Sequence, residues 1–228
     1  LSEMYVIPTP WFPKPPFQIS NYIEAWIKYP FLTYFKNTIL VVVAATMGNV
    51  MSSSITAFGF ARIRFPGRDF LFVILISTMM LPYQVKIIPL FQMYKTIGWL
   101  NSLWPLIVPA FFASASPFFV FLMRQFFLSI PEELADAARI DGCGFVNIYL
   151  RIFLPLTKPA MVTVALFSFM DNWNDFFMPL IYINSNQFKT LSLGLAGMTG
   201  QYVSDWHIIM AASVITVLPC VIIFLMAQ

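Results

Sequence analysis

The sequence predicts an all-α protein, a polytopic transmembrane helix bundle. Three observations carry that prediction. Of the 228 residues, 59% are hydrophobic and only 10% are charged, whereas a soluble domain is about 25% charged. The mean hydropathy is +0.77, with 25 Phe and 13 Met contributing to it. Five stretches approach the roughly 20 apolar residues that a membrane helix needs. So few charges cannot clothe a soluble surface of this size, which excludes a soluble globular enzyme and a disordered tail.

The elements follow in chain order. The first thirty residues hold Pro8, Pro10, Pro13, Pro15, Pro16 and Pro30, a spacing that prevents a long helix and favours extended chain. Trp11, Phe12, Tyr22 and Trp26 mark a segment lying at a membrane interface, with a short surface helix over Ile19 to Tyr29. Five spans are expected: Phe31 to Phe60, Phe70 to Leu90, Trp104 to Phe127, Thr157 to Ile183, and Trp206 to Met226. Thr46, Ser52, Ser53 and Ser54 soften the first, and such small residues let helices pack closely in lipid. Pro82 and Pro89 fall toward the end of the second. Pro105, Pro109, Pro117, Pro179 and Pro219 also fall inside spans, where neighbouring helices can satisfy the freed carbonyls.

Loop charges set the orientation. One set of loops holds Arg62, Arg64, Arg68, Arg124, Arg139, Arg151 and Lys158. The other holds Lys14, Lys28, Lys36, Lys86, Lys95 and Lys189. The first set contains every arginine and crowds three into a short loop, so it is placed in the cytoplasm. Arg62, Arg64 and Arg68 are read as setting topology and touching lipid headgroups. The N-terminal segment then lies outside. The chain starts at Leu1 and stops at Gln228 straight after an apolar run, so a preceding span is expected. The intact chain would have six spans and both termini inside.

Other chemistries find little support. Cys143, Cys220 and the single His207 form no metal-ligand pattern, and a net charge of +3 implies no nucleic-acid binding. There is no Ser-Lys or Ser-His pairing, no paired Asp protease motif and no His cluster, so no catalytic residue is expected. A secondary transporter remains an alternative, although no inverted repeat is visible. Gln84, Lys86 and His207 read as interface anchors at span ends.

The most hydrophilic stretch runs from Ser129 to Gly142. Ser129 with Glu132 reads as a capping box, Pro131 suits a first turn, and Gly142 supplies a stop. On this short helix Leu134, Ala137, Ala138 and Asp141 share one face at i, i+3, i+4, i+7. Small side chains there permit close approach by another protein. An amphipathic run from Phe145 to Leu154 follows, and Pro155 and Pro159 break it into the next span.

A second polar group, Asp171-Asn172-Trp173-Asn174-Asp175, sits inside the fourth span. Ionisable groups in a span face the bundle interior or water. Carboxylates, amides and an aromatic face suit a sugar, by hydroxyl hydrogen bonds and stacking. They equally suit a contact between subunits, or a path wall that binds nothing. Asp171 and Asp175, four apart, are expected on one helix face.

Asp136-Ala137-Ala138, three residues, Gly142, nine residues, then Ile152-Phe153-Leu154-Pro155 resembles the EAA loop of ABC importer permeases. That family's pattern is Glu-Ala-Ala, three residues, Gly, nine residues, Ile, any residue, Leu-Pro. Asp136 stands where Glu is usual. Asp141-Gly142, Trp173-Asn174, Asn37-Thr38, Ala61-Arg62 and Phe65-Pro66-Gly67-Arg68 resemble the sugar-type members, particularly the maltose-type second permease. The resemblance covers roughly Asn21 to Ala227.

It implies a membrane-spanning permease subunit, not an enzyme, that translocates a carbohydrate across a bacterial-type inner membrane. Residues 1–30 would be an extracytoplasmic segment and 31–228 the permease domain, with the cytoplasmic coupling loop at about 129–155. Glu133, Asp136, Ala137, Ala138, Asp141, Gly142, Ile152, Leu154 and Pro155 would couple it to a cytoplasmic ATPase dimer. ATP and Mg would bind in that partner, and no cofactor on this chain. A second permease, homologous or identical, and an external sugar-binding protein complete the implied assembly, embedded in membrane lipid. Amino acid, peptide or ion cargo remains the alternative.

Overall fold

The computed structural model describes residues 18–112, 117–198 and 205–227; the rest, including most of the Pro-rich N-terminal segment, lie outside the described residues. Every regular element among the described residues is helical. Helix α1 (Ser20–Lys28) is the expected surface helix, with Ala25 buried and Ile23 and Ile27 exposed. Pro30 disfavours helical backbone at Tyr29, which is extended at φ −122°, so the chain turns before the next helix.

Helix α2 (Phe31–Arg62) has 32 residues, about 48 Å at the α-helical rise. One side carries Thr38, Val42, Ala45, Asn49, Ser53, Ala57 and Ala61, all buried. The other carries Leu32, Ile39, Val43, Met47, Met51 and Ile55, all exposed. The buried side is built of small residues, so neighbours come close. A Cβ on Gly48 would lie 2.8 Å from the Phe111 ring and 3.0 Å from the Ala110 backbone, and Ser52 donates to the Ala110 carbonyl at 2.9 Å.

The three middle spans are broken near prolines, whereas Pro89 inside the helix Tyr83–Thr96 and Pro219 inside the last helix leave theirs continuous. Helix α3 (Arg68–Ser77), with the 3-10 turn Thr78–Met80, meets α4 (Tyr83–Thr96) at an angle of 98°. Pro82 forces Leu81 extended at ψ 111° and ends the first piece there. Helix α5 (Trp104–Ile107) passes into the 3-10 turn Val108–Phe111, and α6 (Pro117–Ser129) begins at a proline. Among the described residues two helices, α2 and α13 (Trp206–Ala227), are long and apolar enough to cross a membrane, and the count reaches four if each bent pair is one span. The all-helical expectation stands, and of the five expected spans the first and last are single helices. The segments read as the second, third and fourth spans each contain prolines that divide them into shorter helices.

The segment expected from the sequence to be the coupling segment comprises α7 (Glu133–Ile140), α8 (Phe145–Ile148), a five-residue π-helical turn (Tyr149–Phe153) and α9 (Leu154–Leu156). It meets α10 (Lys158–Asn174) at 75°, the elbow expected from Pro155 and Pro159. Thr157 is buried in that elbow and donates to the Phe153 and Leu154 carbonyls at 3.0 and 3.1 Å, supplying a donor where the prolines remove theirs. Helices α11 (Phe177–Tyr182) and α12 (Leu191–Gly197) precede α13.

Two cores result. One gathers Ala57, Phe58, Met123, Phe127, Ala135, Ala138, Ile148, Phe153 and Val164 around the coupling segment. The other gathers Phe31, Tyr34, Val42, Trp173, Leu191, Ile208 and Ala212 at the opposite end of α2. There Asn37 donates to the Gln187 and Lys189 carbonyls, and the Thr38 hydroxyl accepts the Leu191 amide at 2.8 Å. Lys28 pairs with Asp205 and holds its carboxyl below the ordinary range through that hydrogen bond.

Two outcomes follow from this packing. A Cβ on Gly194 would meet the buried Tyr34 ring at 2.2 Å, so Gly194→Ala should destabilise the protein by about 1–3 kcal/mol. Thermal unfolding in detergent reads the loss, and adding Tyr34→Leu should restore part of it. Arg62 donates to the Phe127 and Ile130 carbonyls and lies 4.7 Å from the Phe153 ring centroid. Arg62→Lys shortens the arm that reaches these two carbonyls and loses the planar group over the ring. It should cost roughly 1.5–3 kcal/mol, seen as a lower unfolding midpoint.

Candidate functional site

Helix α7 is positioned by what closes its two ends. Its first turn carries Glu133 and Asp136 and its last turn Arg139, each the sign that the helix dipole favours at that end. Asp136 and Arg139 pair at 2.6 Å across one turn. At the C-terminus Gly142 has φ +81°. Its amide donates to the Arg139 carbonyl at 3.0 Å, and the Cys143 amide to the Ala138 carbonyl at 2.9 Å. These two bonds form a Schellman motif, which requires the left-handed residue that Gly142 supplies. A Cβ there would touch nothing, so glycine is present for conformation and not for space.

The start of the helix departs from expectation. The capping box is absent: Glu132 occupies the N-cap in helical conformation with no side-chain cap, and Ser129 donates back to Phe126 at 2.8 Å. Ser129 is the last residue of α6, and its hydroxyl is used by that helix. Glu132 reaches Arg64 at 3.4 Å instead.

The four residues expected on one face divide. Ala138 is 6% exposed and packs with Ala135 in the first core. Leu134, Ala137 and Asp141 stay exposed, joined by Glu133 and by Ile140 at 87% exposure. The free face is therefore Glu133, Leu134, Ala137, Ile140 and Asp141. Ala138 is turned inward because α7 rests on its own bundle as well as facing outward. Ile152 and Leu154 are half-buried around the fully buried Phe153, and Pro155 is exposed.

Arginines brace this region from within. Besides Arg62, Arg124 donates to the Phe60 carbonyl at 3.3 Å and lies over the Phe72 ring at 4.1 Å. Arg68 pairs with Asp69 at 3.1 Å. Tyr149 in the π-helical turn shares a hydrogen bond with Ser54 of α2 at 2.9 Å. Arg62 is thus a brace across α2, α6 and the coupling segment, a role that charge counting assigned to topology alone.

The polar group at the end of α10 also divides. Trp173 is 3% exposed, stacks on Phe169 at 5.3 Å, and donates its indole N–H to the Thr216 carbonyl at 3.0 Å. It joins the second core and offers no face for a sugar. Asn174 is exposed and bonds back to Met170 at 2.8 Å. Asp175 follows the end of α10 and accepts the Met178 amide at 3.1 Å, so it does not share a helix face with Asp171.

Asp171, Asn172 and Asp175 are nevertheless brought together. They line a cavity of about 870 Å³ with Asn49, Tyr83, Lys86, Tyr94 and Trp99. Asn49 of α2 donates to the Ser168 hydroxyl at 2.9 Å, and Asn172 donates to the Ser168 carbonyl at 2.7 Å. This amide–hydroxyl ladder joins α2 to α10 beside the void. Tyr83 and Tyr182 share a hydrogen bond at 2.7 Å, and Tyr94 stacks on Trp99 at 5.9 Å. Asn101, at φ +57°, accepts the Asn184 and Ser185 amides, which ties the loop after α4 to the loop after α11. Sequence reasoning missed Asn49, Tyr83, Tyr94 and Trp99. A lone amide in an apolar span was the available signal for Asn49. The aromatics carried none, since only the bend at Pro82 turns them toward α10.

A family model described as "Binding-protein-dependent transport system inner membrane component" matches residues 48–228. The arabinooligosaccharides transport system permease protein AraQ of Halalkalibacterium halodurans is 35% identical over 86% of this chain and 69% of its own length. The sn-glycerol-3-phosphate transport system permease protein UgpE of Salmonella typhi is 33% identical over 100% of this chain and 83% of its own. A solved bacterial ABC transporter that imports the acidic polysaccharide alginate matches 92% of this chain and 79% of its own with a TM-score of 0.83 at 23% identity. That likeness bears on fold alone. With the spacing Asp136-Ala137-Ala138 to Leu154-Pro155 folded as a capped helix and an elbow, and the family model spanning most of the sequence, the chain belongs to the binding-protein-dependent transport system inner membrane components, the multi-pass permease subunits of ABC importers.

Proposed function

We propose that this permease carries a carbohydrate and is driven through α7 by a cytoplasmic ATPase dimer. The observation that carries the reading is the free face of α7, where Leu134, Ala137 and Ile140 are exposed on a helix whose other side is locked into the bundle. A short rigid helix that is half buried and half free transmits a push without bending. Glu133, Asp136, Asp141 and Gly142 surround the contact, and Ile152, Leu154 and Pro155 hold the elbow behind it. ATP and Mg²⁺ act in the ATPase. Five passes, with the arginine-rich end in the cytoplasm and residues 1–30 outside, remain our reading of the topology: α2, α13, the two bent pairs and the apolar stretch that ends in α6 each count as one, where protein covers the freed backbone. A second permease subunit and an external binding protein complete the assembly.

Carbohydrate is supported by the cavity: amides and carboxylates for hydroxyls, with aromatic rings beside them. AraQ is named for an oligosaccharide and UgpE for a phosphorylated polyol, so the relatives leave the charge of the cargo open. The test is uptake by the complete importer in proteoliposomes with a panel of di- and trisaccharides. ATP-dependent uptake of one is expected, and uptake only of an amino acid, peptide or ion would overturn the reading.

The two alanines give a sharper outcome for the coupling role. Ala137→Asp should leave the permease folded at normal yield but unable to retain its ATPase on co-purification, since docking would desolvate an unpaired carboxylate at a cost of several kcal/mol. Ala138→Asp should instead lower the yield of the permease itself, because its site is inside the bundle. Normal ATPase capture by Ala137→Asp would place the contact elsewhere.

For the cavity, Asn172→Ala should reduce uptake while the complex assembles normally. It removes the donor to Ser168 at a half-buried site, with a stability cost of about 1 kcal/mol. Unchanged uptake kinetics would remove Asn172 from the path.

A further inference from the structure

Resting on the reading that this chain carries a carbohydrate, we propose that the cavity selects by charge, admitting an uncharged oligosaccharide while Asp171 turns away sugars that bear a carboxylate or phosphate. The void of about 870 Å³ falls within the usual span of ligand pockets. Its lining carries three formal charges: Asp171 and Asp175 on one side and Lys86 of α4 on the other. Two negatives and one positive leave a net of −1. Neither carboxylate forms an ion pair among the described residues. Lys86 leans over the Tyr83 ring at 5.8 Å. No arginine lines the void, although arginine is the side chain whose planar fork matches carboxylate and phosphate.

The two carboxylates differ. Asp175 is engaged by the Met178 amide at 3.1 Å and helps start α11. Asp171 receives no protein donor among the described residues and opens onto both the main void and an adjoining one of about 530 Å³. It is the unspent negative charge of the path. An anionic sugar would meet both carboxylates with a single ammonium to offset them, and like charges repel strongly where water is thinned out. A neutral sugar meets acceptors for its hydroxyls, the amides of Asn49 and Asn172, and the rings of Tyr83, Tyr94 and Trp99.

The test uses the complete importer in proteoliposomes, with Cys143→Ala and Cys220→Ala removing the native thiols and Met178→Cys placing one in the lining. Its modification rates are measured with cationic, anionic and neutral methanethiosulfonates of matched size. The cationic-to-anionic ratio should exceed that of a free thiol in solution by about tenfold, as expected for a cleft of net negative charge. Asp171→Asn should lower the ratio at least severalfold, and Asp171→Lys should bring it below the solution value. A starting ratio equal to solution, or one that Asp171→Asn leaves unchanged, overturns the proposal. So does failure of the neutral reagent to react, since the void is then closed to solutes. Uptake of neutral trisaccharides and their uronates by the parent importer forms the second arm. Equal uptake of both overturns the charge filter. No uptake of any carbohydrate, with the reagent ratios as expected, overturns the cargo reading and leaves the negative cavity standing.

Discussion

The fold depends on how closely other helices approach the buried side of α2. Ala45, Gly48, Ser53, Ala57 and Ala61 keep that side thin, and α6, α10 and the Val108–Phe111 turn lie against it. Lipid tails give helices no hydrophobic reason to associate, so close van der Waals contact and hydrogen bonds must supply it. Ser52 to Ala110 in the Val108–Phe111 turn, Asn49 to Ser168 in α10 and Ser54 to Tyr149 in the π-helical turn are such bonds. Larger side chains on α2 would push all three away together.

The broken helices are the second consequence. A proline in a span frees backbone groups that lipid cannot satisfy, so breaks are tolerated only where protein covers them. Thr157 serves the elbow before α10, Asp175 the start of α11, and Asn101 the loop beside it. The break at Pro82 turns α4 by 98° from α3, and α4 lines the cavity together with α2 and α10. The breaks and the cavity are one feature. A bundle of straight helices would fill that space with side chains.

The same kind of contact ties α2 to the elbow segment beside α7. Arg62 at the end of α2 binds the last carbonyls of α6 and covers Phe153 in the π-helical turn. Tyr149 in that turn is tied to Ser54. The π-helical turn and the end of α6 are thus both fastened to α2. The polar cavity lies further along α2 and α10, at Asn49 and Asp171, on the same two helices.

Much of this was legible in the sequence. Apolar runs and scarce charges determined a helical membrane protein. The spacing from Asp136 to Pro155 determined a short helix, a glycine stop and an elbow, because local backbone rules act within a few residues. The first and last spans were legible for the same reason: each is one uninterrupted run. What neighbours decide was hidden. Ala137 and Ala138 are adjacent and alike, and only the packing of α7 on Phe127 and Ile148 sends one outward and the other inward. Trp173 sits among polar residues, yet the indole donor finds Thr216, 43 positions away, and the ring is lost to the core. Ser129 and Glu132 have the spacing of a capping box, but α6 and Arg64 claim them first. Asn49, Tyr83 and Asp171 meet across a cavity because the bends at Pro82 and before α10 bring two distant segments against the unbroken α2. Sequence periodicity reads one helix at a time, whereas burial and cavities are properties of the contacts between helices.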